Sequence, residues 1–190
     1  MRCGRRGMWL AVLLVGCGVV AAHRAWSTNP DSQGELTIHV WKTRHEMWLE
    51  EGDQVLRRFQ VALGKEPTAS KLLRGDQHTP EGTYYVCEKR PRSRYHRFLG
   101  ISYPNIDDAE KGFQERLISA DEWADIWVAN LLQATPPWST ALGGRVGIHG
   151  YGGEAPVPID WTDGCIAVSD ADIDYLYDVV PLGTRVVISD

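Results

Sequence analysis

Two side chains in the stretch Arg145–Val168 are suited to chemistry: His149 in I-H-G and Cys165 in D-G-C-I-A-V. The thiolate of a cysteine, not its thiol, is the nucleophile, and an adjacent imidazole creates it by taking the proton. Each residue sits at one end of a short apolar run that reads as a buried strand, and the loop between them is rich in Gly, Pro and Trp. That loop is too irregular for a helix and too short for a domain. A fold that lays the two strands side by side brings the imidazole to the thiol.

The rest of the chain must build that fold. ELTIHVW alternates Leu36, Ile38 and Val40 with Thr37, His39 and Trp41, the period of a strand with one buried face. EMWLEEGDQVLRRFQVALG reads as two more strands turning at Glu51-Gly52, which makes the opening an antiparallel meander. A long loop from Gly64 to Pro80 follows; His78 in it is read as a solvated loop residue, and His39 and His45 as surface residues. TYYVC and YHRFLGI are further strands, the second ended by Pro104. Asn105 is positioned to cap a short polar helix, and Ser119 with Glu122 forms a capping-box pattern. Beyond Ser119, Trp123, Ile126, Trp127 and Leu131 recur at helical spacing, which predicts a helix lying on the sheet with tryptophans as core anchors. Ser169 opens a last helix, and TRVVI is a final strand. The expectation is a mostly β (α+β) domain, largely antiparallel, with two or three packed helices.

With 190 residues there is room for one ordinary domain with a real core. The formal net charge is -5, without a basic stripe, which argues against nucleic acid as a partner. MRCGRRG is a basic start to the apolar run Met8–Ala22, so residues 1–22 read as a signal peptide or an N-terminal membrane anchor. Three fates stay open: cleavage after Val20-Ala21-Ala22, lipidation at Cys17 in L-V-G-C, or retention as an anchor. Each exports the domain to the periplasm or cell envelope, and retention would anchor it to the inner membrane. Residues 23–33 read as a linker and 34–190 as the exported domain. Export leaves Cys87 and Cys165 together in an oxidising compartment, where a disulfide competes with a core Cys87 and a reactive Cys165. The spacing fits no zinc site, having no CxxC and no paired His, and no cofactor is expected.

H-G, a Gly/Pro-rich loop and then [S/T]-x-G-C-hydrophobic resemble the signature of the L,D-transpeptidases, bacterial cell-wall enzymes with a YkuD-type catalytic domain. The VALG turn, the GDQHTPEGTYYV block and the closing PLGTRVVI are similar to that family in order, and the likeness runs from about Glu35 to Asp190. The resemblance implies an antiparallel sandwich or barrel-like sheet, with Cys165 as nucleophile and His149 as base. Gly150, Thr162, Asp163 and Gly164 would support them, with backbone N–H groups near Gly164 and Cys165 holding the oxyanion. One such donor is worth about 3 kcal/mol. Tyr151, Trp161, Trp138 and Tyr103 would shape a substrate groove, packing being the competing role for each. Asp163 stands where most members have His or Arg, and Ala167 where they have Arg or Asn; a D-G-C-x-A branch is nearer. Asp163 is expected to favour the imidazolium.

The implied partner is a peptidoglycan stem tetrapeptide, cut after its diaminopimelate. The acyl group then passes to an amine, from another stem or from a lysine-bearing wall-attached protein. A thiol hydrolase (carboxypeptidase or amidase) using the same acyl-enzyme is the alternative, and a non-catalytic wall-binding module the third reading.

Overall fold

The computed structural model describes residues 34–153 and 160–190. The export segment, the linker and the middle of the loop between His149 and Cys165 lie outside the described residues. Six strands come first: β1 Leu36–Trp41, β2 Glu46–Glu51, β3 Gln54–Gln60, β4 Leu63–Gly64, β5 Gly82–Ser93 and β6 His96–Ile101. Two helices follow, α1 Ile106–Gln114 and α2 Ala120–Leu131. The chain closes with β7 Gly147–His149, β8 Asp160–Thr162, β9 Ile166–Ala167, α3 Asp170–Val179 and β10 Arg185–Ser189.

Eight strands form one sheet in the order β3-β2-β1-β10-β5-β6-β7-β9, and β4 pairs with β8 in a small second ribbon. Neighbours in the large sheet run antiparallel except β1 with β10 and β7 with β9. The expected mostly β domain with three helices is what the chain adopts. Alternation holds where one face is covered: Ile38 and Val40 of β1 and Met47 and Leu49 of β2 are buried. These join Leu99, Ile148, Ile166 and Val186, and α3 adds Ile173 and Leu176, in one core. Each such aliphatic side chain contributes about 1.5–3 kcal/mol by leaving water.

The helix starts follow local chemistry. The Asn105 side chain accepts the Asp108 N–H at 2.9 Å while the Asp108 carboxylate accepts the Asn105 N–H, and Ser119 and Glu122 make the same exchange before α2. Ser169 accepts the Asp172 N–H at 3.1 Å to start α3.

The face of α2 departs from expectation. This helix packs chiefly on α1, around a small cluster of Ala109, Ile118, Ile126 and Leu142. Trp127, Val128 and Leu131 are exposed, and Leu132 just beyond the helix is 70 % exposed. Of the 12 residues of α2 only Ile126 is buried, so the tryptophans do not anchor the main core.

Candidate active site

The site is assembled where β7 meets β9. These strands run parallel, with Ile148 opposite Ile166 and His149 opposite Ala167, and the Val168 N–H donates to the His149 carbonyl at 2.9 Å. Side chains alternate across a sheet, so carrying the register back from Ala167 to Cys165 puts the thiol on the same face as His149, one diagonal step away. Both residues line one cavity of about 210 Å³, with Arg90, Ser93, Arg94, Tyr95, Phe98 and Arg145.

The turn that presents Cys165 is fixed by one hydroxyl. Thr162 Oγ1 donates to the Cys165 carbonyl at 2.6 Å and accepts the Gly164 N–H at 3.1 Å. Gly164 has φ +120°, and a β-carbon there would stand 2.5 Å from the His78 carbonyl oxygen. Positive φ and this close approach both call for glycine. The Gly164 N–H is therefore committed to Thr162, which corrects its expected part in an oxyanion hole. The Cys165 N–H is the donor left there: among the described residues it has no backbone or side-chain acceptor.

His149 is 3 % exposed, and its Nδ1–H donates to the Gly150 carbonyl at 2.7 Å. A carbonyl only accepts, so this contact sets the tautomer and leaves Nε2 as the basic nitrogen. Tyr95, at the tip of the β5–β6 hairpin, stacks on the imidazole with centroids 4.7 Å apart and planes at 21°. Trp161 meets the same ring edge-on at 5.7 Å. The Tyr95 carbonyl also accepts the Gly150 N–H at 3.0 Å, so the hairpin tip and β7 hold each other in place.

Burial lowers the His149 pKa from its ordinary value, against the Gly150 carbonyl and the charge of Asp170, which raise it. Burial pushes the Cys165 thiol up to about 11; the Gly147 N–H and the Lys71 charge oppose this, and Asp163 adds to it. The resting pair is a neutral imidazole and a neutral thiol, the latter directed at the Arg145 carbonyl at 3.7 Å. Asp163 does not act on the imidazole as expected. Its side chain is 78 % exposed and pairs with Lys65 at 3.0 Å, and the acid whose charge reaches His149 is Asp170.

The remaining expected residues divide. Trp161 packs on the imidazole, and Tyr151 is half-buried outside the two cavities that meet at Cys165. Trp138 lines an adjoining recess with Arg74, Gly143, Gly144 and Arg145. Tyr103 is wholly buried, donates to the Leu142 carbonyl at 3.2 Å and cannot line a groove. Cys87 and Cys165 are both free thiols, so they form no disulfide. Sequence reasoning missed Tyr95, Lys71, Arg145 and Asp170. None carries a motif, although S-R-Y between two strand-like runs marks a hairpin tip.

The profile of the YkuD family, described as the L,D-transpeptidase catalytic domain, matches residues 35–188. No curated protein sequence matches the chain. Among solved structures, the helical cell shape determining protein Pgp2 of Campylobacter jejuni is similar in fold at 20 % identity. The TM-score is 0.59, over 83 % of this chain and 48 % of that one. Bd1075 of Bdellovibrio bacteriovorus is similar at 18 % identity and a TM-score of 0.55, over 86 % of this chain and 50 % of that one. The chain thus spans about half the length of these two proteins.

Proposed function

Given that the chain belongs to the YkuD family of L,D-transpeptidase catalytic domains, we propose that it forms an acyl-enzyme on Cys165 with a peptidoglycan stem tetrapeptide and passes the acyl group to an amine. The observation that supports this reading most is the diagonal placement of Cys165 and His149 on one face, with Nδ1 tethered to the Gly150 carbonyl. His149 Nε2 takes the thiol proton as the sulfur attacks the carbonyl of diaminopimelate. The Cys165 N–H faces the oxygen on which charge develops. The tetrahedral species collapses to a thioester, and the imidazolium returns its proton to the departing D-alanine amine. An acceptor amine then attacks the thioester, losing its proton to His149, and the thiol is restored.

The starting pair is neutral, so the proton moves during attack and not before it. Activity requires unprotonated His149, and burial lowers its pKa. The acid limb of kcat/KM therefore falls below the midpoint of about 6.5 that an ordinary histidine gives, and activity persists to lower pH. On this reading the domain works in the periplasm or cell envelope, with the apolar run Met8–Ala22 as its export signal or anchor.

Incubation with purified muropeptides, read by mass spectrometry, tests the proposal. Cross-linked dimers with released D-alanine are expected. Shortened monomers alone would make water the acceptor and the protein a hydrolase; an unchanged profile overturns the proposal.

A further inference from the structure

A second cavity, of about 410 Å³, reaches Cys165 from the side of the 65–81 loop, and three of its lining residues are cations: Lys71, Arg74 and Arg145. The protein as a whole carries more acidic than basic residues, so this gathering is local. Lys71 is 5 % exposed, and its ammonium donates to the Leu73 carbonyl at 2.8 Å and to Asp76 at 2.7 Å. An ammonium has three donors; the third has no partner among the described residues. Asp76 does not absorb that charge alone, because its carboxylate also accepts the N–H groups of Leu72, Leu73 and His78. Burial pushes the Asp76 carboxyl up, but Lys71 and the three backbone donors outweigh it and hold it below the usual range.

The other charges leave the cavity cationic. Asp163 also lines the cavity, but its exposed carboxylate pairs with Lys65 at 3.0 Å, and the three cations outnumber it. Arg74 Nη2 donates to the carbonyls of Trp138 and Thr140, which holds the guanidinium charge against this cavity. Arg145 is exposed and has no acidic partner among the described residues. We infer that this cavity is a carboxylate subsite, in which Lys71 and Arg145 hold the free carboxylate of the residue that leaves when the acyl group passes to Cys165. The inference rests on the acyl-enzyme reading above and gives it a selectivity. A stem longer by one residue carries its carboxylate about 3.3–3.6 Å farther along the chain and presents an uncharged amide to Lys71.

The test needs no peptidoglycan. Cys165 is alkylated with iodoacetate and with iodoacetamide at fixed pH and ionic strength, and the adduct is located by peptide mass mapping to separate it from Cys87. The wild-type protein is expected to favour the anionic reagent relative to a free cysteine peptide. Lys71→Met should lower the iodoacetate-to-iodoacetamide rate ratio about tenfold, the weight of a charged hydrogen bond. Arg145→Gln, at an exposed side chain, should lower it in the same direction and carries the test if Lys71→Met does not fold. A wild-type ratio no higher than that of the peptide, or a ratio unchanged in both variants, overturns the subsite. A protein that passes this test and leaves muropeptides untouched keeps the subsite and loses the proposed reaction, and the converse pair of results loses the subsite alone.

Discussion

Cys87 on β5 and Cys165 before β9 are both half-buried free thiols, and burial pushes each up to about 11. Their surroundings differ. Cys87 has the Thr135 hydroxyl, which lowers it, and the carboxylate of Glu88, which raises it further. Cys165 has the Gly147 N–H, the Lys71 ammonium and, across the strand pair, an imidazole whose basic nitrogen is left free by the Gly150 carbonyl. Desolvation alone makes an inert thiol. What separates the two is a histidine lining the same cavity as one sulfur and a cation whose charge lowers that thiol.

The sharpest way to break that comparison is to remove each sulfur in turn. Cys165→Ala should cut acyl transfer by about 10³-fold or more, read as loss of products and of the covalent adduct with a carbapenem. Cys87→Ala should leave turnover within about twofold and cost about 1 kcal/mol in stability. Equal losses would mean that Cys165 is only another core thiol. Next in size is His149→Ala, which should lower kcat/KM by about 10²–10⁴-fold and flatten its acid limb, and should also lower the thermal midpoint because the buried ring packs on Tyr95 and Trp161.

Direct alkylation sharpens the contrast without substrate. Both thiols should react faster as pH rises toward 11, the fraction of thiolate growing tenfold per unit below the pKa. A plateau for Cys165 between pH 6 and 8 would reveal a preformed thiolate–imidazolium pair and refute the neutral resting state. The last variant, Gly164→Ala, is read on stability. It should destabilise the protein by at least about 1–3 kcal/mol, through strain at positive φ and the approach of the new β-carbon to the His78 carbonyl oxygen, measured by denaturant midpoint.

Much of the site was legible because its signals are local. I-H-G and T-D-G-C place His149 and Cys165 at strand ends, and Ser119 and Ser169 announce helices through bonds to residues three positions on. Lys71, Tyr95 and Arg145 were not legible. They line the cavities at the thiol from three separate loops, which the pairing of β4 with β8, β5 with β6, β6 with β7 and β7 with β9 brings together. The parallel pairing of β1 with β10 joins the two ends of the described chain, a contact that alternation within either strand cannot announce. Periodicity likewise marked an apolar stripe on α2 without saying what covers it, and α1 is too short to cover it all. Tyr103 shares the limitation: a tyrosine beside a turn reads the same in sequence whether its ring faces solvent or, as here, the interior.

The sulfur of Cys165 stands where two recesses meet, one walled by Tyr95, Phe98 and His149 and the other by Lys71, Arg74 and Gln77 of the 65–81 loop. A thioester made there from one side would occupy that side and leave the other approach clear. The outgoing fragment and the incoming reactant then need not pass each other, and the order of events becomes a property of the doorway rather than of relative affinity.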